Sequence, residues 1–431
     1  MADFELSTLP DGERVISEHL DRVRSIAIGF WIGTGSRDED NARAGICHFL
    51  EHMLFKGTRS YSAQDIAEIF DGIGGELNAV TTREYTVLYA RIMDEHLDTA
   101  LDVMTDMIYA PVLDDLDAER EVVLEEIAMV DDTPQDLVHD LIGEAVFGAH
   151  PLGRPVIGRA EVISSVSRRT LQTFHRSRYV APRIVVGAAG NIDHEGLSER
   201  CASLAVKKAA AGRQPRPRRR LSSPPRAGVR FQEKETEQYH VCIGAPGLAQ
   251  DDDRRFAASI LDGILGGSAS SRLFQEIREK RGLAYSVYTF TSLYAETGEV
   301  GVYVGTREEN LEECLAIIAR EIEDIAGGGI GPAELARAKD NLKGRIMLSM
   351  ESTSNRASRL GKSEITDTEI LSLDELVERI TAVEADGVAS LAERLLAVDR
   401  RSVAGIGASA AHFRRAIERI NPALADGMGA A

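Results

Sequence analysis

The apolar positions of this chain fall into short extended runs and longer helical stripes, and they recur in the same order twice. Ser25-Ile-Ala-Ile-Gly-Phe-Trp-Ile-Gly33 has the length and composition of a strand. The apolar run from Ala44 to Phe55 reads as a buried helix. Gly74-Gly75 is a glycine turn feeding the short strand Glu76 to Val80. Further on, apolar residues at 122, 123, 127 and 130 follow helical periodicity.

The second half repeats this order. Tyr239 to Gly247, then Asp251-Asp252-Asp253 and a helix ending Gly266-Gly267-Ser268, parallel Ser25 to Gly33, Arg37 to Asp40 and a helix ending Lys56-Gly57-Thr58. The stretch from Ile163 to Gly187 is likewise echoed by Ile380 to Gly405, at an interval of roughly 210–217 residues. Strands grouped in hairpins and helices grouped in runs predict an α+β fold, with antiparallel-rich sheets covered by helices. A chain of 431 residues exceeds one ordinary core. Between the two copies, Lys207 to Gly228 is basic, Pro-rich and without apolar period, which reads as a solvated linker. The expected organisation is a domain over 1–206, the linker over 207–228, and a homologous domain over 229–431.

Composition adds exclusions. At 43% hydrophobic and 28% charged the chain has globular character, and no apolar run reaches transmembrane length. A net charge of −19 argues against nucleic acid or an anionic membrane as partner. The acidic start, Met1 to Leu6, has neither a secretory apolar core nor transit-peptide character, so a cytoplasmic location is expected. Cys47, Cys201, Cys242 and Cys314 are far apart in sequence and fit no paired motif, as expected of reduced thiols. Gly267 to Arg272 superficially suggests a phosphate cradle, but no Gly-Lys-Ser/Thr follows.

The chemistry is concentrated in His48-Phe49-Leu50-Glu51-His52. On a helix, positions i and i+4 lie about 40° apart with i+3 beside them, so both imidazoles and the carboxylate share one face. Two neutral imidazole nitrogens at that spacing can hold one zinc ion, and an unbound carboxylate nearby can take a proton from water. The order His-x-x-Glu-His inverts the commoner zinc-protease motif. Cys47, one residue earlier, points about 100° away and is expected to pack in the core. A third protein ligand must come from elsewhere, and the best candidates lie between Glu119 and Val130, where Glu119 and Glu126, seven apart, fall on nearly the same helix face. Glu121 and Glu125 read as a solvated acidic face. In the second copy Ala258, Leu261 and Asp262 stand at the places of His48, Glu51 and His52, so that copy has lost the metal site.

These residues resemble the inverzincins, the family of pitrilysin, insulin-degrading enzyme and the mitochondrial processing peptidases, and are similar to a two-domain bacterial-type member and to the β subunit of the last. His48 to Thr58 resembles the family's zinc helix and following loop, Ile73 to Arg91 its strand pair, Arg120 to Glu126 its third-ligand helix, and Gly266 to Tyr288 the signature of its second domain. The resemblance implies two domains related by a pseudo-twofold axis, closing like a clamshell around a chamber. It implies one Zn2+ per chain held by His48, His52 and Glu126, with register against Val122-Val123 favouring Glu126 over Glu125. Glu51 would activate water and Glu119 would support the ligands from behind. Asn78 and Ala79 would sit on the edge strand that pairs with an extended substrate. Arg278 and Tyr285, from the second domain, would contact substrate and help stabilise the oxyanion.

The function expected is therefore a zinc endopeptidase acting on extended or unfolded peptides, as a homodimer or with a related subunit. The alternative is a catalytically silent scaffold subunit, but such subunits usually lack part of the site, and here every matched position is filled. Between Asp114 and Asp140 eleven carboxylates face Arg120 alone. Beside a hydrolytic site they would concentrate basic peptides; they serve solubility equally well.

Overall fold

Two sheets built by the same walk organise the chain. The computed structural model describes residues 4–204, 221 and 225–428, so the stretch read as a linker, 207–228, lies for the most part outside the described residues. The first sheet comprises β1 (Glu5–Thr8), β2 (Arg14–His19), β3 (Ser25–Ile32), β4 (Glu76–Thr81), β5 (Thr86–Met93) and β6 (Ile184–Gly190), in the order β1-β2-β6-β3-β5-β4. The second comprises β7 (Val229–Glu233), β8 (Tyr239–Gly247), β9 (Ala284–Leu293), β10 (Gly298–Thr306) and β11 (Ser402–Gly407), in the order β7-β11-β8-β10-β9. Set β2-β6-β3-β5-β4 beside β7-β11-β8-β10-β9 and the connectivity is identical. In each sheet one pair is parallel, β2 with β6 and β7 with β11, and the other pairs are antiparallel. The expected α+β class and the repeat are both present, and β1 is an addition to the first copy.

Five helices of the first half matter to the site: α1 (Ile46–Leu54), α2 (Ala63–Gly72), α3 (Leu97–Tyr109), α4 (Leu116–Asp132) and α5 (Pro134–Phe147). The core of the first unit fills one face of its sheet, where Ile26, Ile28, Phe30 and Ile32 of β3 meet Phe49, Leu50, Met53 and Leu54 of α1. Alternation along β3 sends Trp31 to the other face, with Val185 and Leu360.

Grouping by contact gives each unit a segment from the opposite half. One unit is Met1–Ala128, Pro155–Arg219 and Met347–Ser372; the other is Met129–Arg154, Arg220–Ile346 and Leu373–Ala431. Thus α5 packs on β8 and β11, and the helix Thr353–Ile365 packs on β6 and β3. Gly361 permits the second of these contacts, since a Cβ there would lie 2.3 Å from the Trp31 ring. No helix of the described residues is long and apolar enough to cross a membrane, and all four cysteines are buried.

Candidate metal centre

The start of α1 is fixed before its chemistry begins. Gly45 has φ +95°, and a Cβ on it would lie 2.7 Å from Gly158 Cα, so only glycine suits the approach. Glu39 accepts hydrogen bonds from the Gly45 and Cys47 amides, both at 2.8 Å, which satisfies donors that a helix start leaves unpaired. The loop before it is tied to the β4–β5 turn by Ser36 N–H to Thr82 O at 3.0 Å and by a buried ion pair between Arg37 and Glu84. Helix α1 and the β4–β5 hairpin are in this way held in one frame.

Within that frame His48, His52 and Glu126 converge, their candidate ligand atoms all within 4.8 Å of one another. Glu126 Oε2 lies 3.7 Å from His48 Nε2 and 3.4 Å from His52 Nε2. Bonds of about 2.0–2.2 Å to one tetrahedral ion would space neighbouring ligand atoms by roughly 3.3–3.6 Å, so the three residues fit zinc. Glu125, by contrast, is exposed. Burial, with His52 as a second cause, pushes the His48 pKa down to about 4. His48 is therefore neutral at ordinary pH, the form a metal needs. Its Nδ1 is buried with no hydrogen-bond partner among the described residues.

His52 is held differently. Its Nδ1 lies 2.8 Å from Glu119 Oε1, and the other oxygen of Glu119 meets Lys56 Nζ at 2.5 Å. Glu119 is buried and bridges an imidazole and an ammonium. A carboxylate on the far nitrogen fixes the tautomer and makes the imidazole a better ligand. Lys56 lies two residues past the end of α1, and its spacing of four from His52 is the one sequence feature that hints at this role.

Glu51 is 9% exposed and stands beside the cluster as a side chain without a place in it. Burial raises its pKa, opposed chiefly by a hydrogen bond from the Thr81 hydroxyl. Behind Thr81, 3.4 Å away, is the hydroxyl of Thr86, which donates to Thr34 O at 3.0 Å. A raised carboxylate pKa suits a group that must take up a proton and later release it. Thr81 was not singled out from sequence; strand alternation with Ala79 is the feature that points it at the core.

Strand β4 carries Asn78 and Ala79 and, among the described residues, pairs only with β5, so its other side is a sheet edge. Asn78 is exposed, and its Oδ1 accepts from the Ala79 amide at 2.8 Å. Ala79 is buried. Arg278 and Tyr285 belong to the second unit and are brought to each other. The guanidinium carbon lies 4.4 Å from the Tyr285 ring centre and 4.7 Å from that of Phe274, and Nη1 donates to Tyr285 O at 3.2 Å. Arg278 lies on a π-helical turn, Phe274–Glu279, a rare form of helix often found at functional positions. Tyr285 is 77% exposed. In the second copy, the helix Arg255–Leu265 buries Ala258 and Leu261, and Asp262 accepts from Thr289 at 2.6 Å.

Comparison with known proteins bears on this arrangement. Residues 14–160 match the model of the insulinase peptidases, peptidase family M16, and residues 165–342 match the model described as the M16 inactive domain. A Streptomyces coelicolor protein named an uncharacterized zinc protease is 43% identical over 398 residues, covering 89% of this chain and 85% of its own length. YmxG of Bacillus subtilis, named in the same way, is 41% identical over 390 residues, covering 89% and 93%. Among solved structures, a protease from Helicobacter pylori matches with a TM-score of 0.87 at 21% identity, over 94% of this chain and 99% of that one. An M16 inactive domain from Pseudomonas fluorescens matches equally well, over 94% and 98%.

Proposed function

This chain belongs to the insulinase family of peptidases, family M16, and on that premise we propose that it is a zinc-dependent endopeptidase cleaving extended peptides or unfolded segments. The observation that carries the reading is the convergence of His48, His52 and Glu126 beside the buried, unligating Glu51. Three protein ligands leave a fourth position open, as in catalytic rather than structural zinc sites.

Zinc, when bound, supplies a Lewis acid that acidifies water and polarises a carbonyl. The remaining work falls to the chain's own groups. Glu51 takes the proton of the attacking water and returns it to the leaving amine. The Thr81 hydroxyl holds that carboxylate in one orientation. Glu119, clamped by Lys56, keeps His52 in place. The edge of β4 offers main-chain hydrogen bonds to any extended peptide, which supports loose sequence preference. Arg278 and Tyr285 are proposed to serve the substrate and its oxyanion, the guanidinium and phenol being suited to developing negative charge.

The test pairs metal analysis with turnover of a mixed fluorogenic peptide library by wild type and Glu51→Gln. The expected result is one zinc per chain in both and cleavage only in wild type. Zinc in both with turnover in neither would make the chain a silent subunit, and metal-free protein whose cleavage ignores Glu51→Gln would overturn the reading.

A further inference from the structure

The face of the first sheet that carries Trp31 is only partly covered. Helix Thr353–Ile365 packs chiefly on β6 and β3. Beyond its flank, Val80 of β4 and Tyr89 of β5 remain 44% and 37% exposed. Between helix and strands lies a cavity of about 310 Å3, lined on the sheet side by Trp31, Val80, Val87 and Tyr89 and on the helix side by Ser354 and Ser358. Its volume is at the low end of ligand-sized pockets, about 300–1,000 Å3. None of its lining residues is charged.

The register gives this cavity a direction. Val80 pairs with Val87, and Val87 pairs with Trp31, so one lateral row crosses β4, β5 and β3 and forms the floor. The row is open at β4, the sheet edge. A strand added there would lie about 4.7–4.9 Å away. Its residue facing Val80 would bring its Cβ within about 4.5–5.5 Å of the Val80 side chain, on the same face. The next position along β4 is Thr81, whose hydroxyl holds Glu51. The substrate residue facing Val80 therefore lies within about two positions of the bond exposed to that carboxylate.

We propose that this cavity is a side-chain pocket that selects one large uncharged residue, aromatic or aliphatic, of a peptide extended along β4. The inference rests on the peptidase reading for its substrate and adds the side-chain class. Apolar walls reward a large apolar chain, and the Ser354 and Ser358 rim tolerates a polar tip such as a tyrosine hydroxyl. A charged side chain would lose hydration there with no opposite charge among the lining residues. The pocket thus sets its own preference in a chain whose overall charge is −19.

Trp31 lines this cavity and is the single tryptophan of the chain, so no other indole contributes to its emission. The experiment titrates zinc-loaded Glu51→Gln protein with decapeptides of Ala, Gly and Ser in which one position, scanned along the peptide, is Phe, Leu, Ala, Asp or Lys. At one position, Phe or Leu should shift Trp31 emission with a Kd at least about tenfold below that of the Ala peptide, as one well-filled pocket allows. Asp and Lys peptides should bind no better than Ala. Ser354→Phe, which fills the cavity from the exposed helix flank, should erase the difference. Emission unmoved by Phe peptides, equal responses to Phe, Ala and Lys, or a Phe preference unaltered in Ser354→Phe would each overturn the pocket. Turnover separates the two claims. A chain that binds Phe peptides at Trp31 but cleaves nothing keeps the pocket and loses the peptidase. Glu51-dependent cleavage with silent Trp31 does the reverse.

Discussion

At the scale of single residues, the metal ligands are legible and their supports are not. His48, Glu51 and His52 announce themselves because helical spacing alone puts three chemically scarce side chains on one face. Thr81 and Lys56 are common residue types whose roles depend on what folds against them, Glu51 in one case and Glu119 in the other. The Thr81 hydroxyl yields the first prediction. Thr81→Val keeps shape and strand propensity but removes the donor, so kcat should fall about tenfold, the size of one lost hydrogen bond to a charged group, with zinc content and KM little changed. Thr81→Ser should recover most of the rate. Equal kcat in wild type and Thr81→Val would remove Thr81 from the mechanism. A second prediction concerns His175, buried far along the chain with Nε2 bonded to Ile108 O at 2.8 Å. Burial pushes its pKa down to about 4, against about 6.5 in the unfolded chain. Its contribution is intact above pH 6.5 and is lost as pH falls from there to about 4, because the unfolded chain takes up the proton first. The loss should reach about 3 kcal/mol, and His175→Gln, which retains a donor, should flatten that part of the stability curve relative to wild type in denaturant titrations.

At the scale of elements, periodicity located strands and helices well and their partners poorly. Helix α1 and strand β4 lie where the apolar pattern put them, because a buried stripe and a half-buried strand have local signatures. The exchanged elements have none. The apolar faces of α5 and of Thr353–Ile365 say that something must cover them, without saying that the cover is the sheet of the other half. Gly361 is the residue that records the second contact, and it sets two effects against each other. By helix propensity alone, Gly361→Ala would stabilise by about 1 kcal/mol. Its Cβ, however, would meet the Trp31 ring at 2.3 Å, so either the ring or the helix must shift. Overpacking of this kind costs about 1–3 kcal/mol, so a net loss of stability is expected. Thermal unfolding followed by Trp31 emission would read it, and a raised midpoint in Gly361→Ala would mean the helix sits further from β3.

At the scale of the whole molecule, duplication was readable because two copies of one connectivity preserve order and interval, even where Ala258, Leu261 and Asp262 have replaced the metal chemistry. Charge is the other property that belongs to the chain as a whole. Lys and Arg number 50 against 69 Asp and Glu, and the excess is steep between Asp114 and Asp140, the stretch that includes Glu119 and Glu126. Fields of that kind act on encounter and are screened over about 10 Å at 0.1 M salt. Uncharged selection at the Trp31 cavity and cationic attraction over the surface are then separable, since the first depends on contact and the second on ionic strength. A peptide given two extra lysines away from the cleaved bond should show kcat/KM several-fold above its neutral counterpart at 20 mM salt. The advantage should shrink toward unity by 0.5 M, while the neutral peptide changes little. An advantage that survives high salt would locate a specific cation site instead, and none at low salt would assign the acidic excess to solubility.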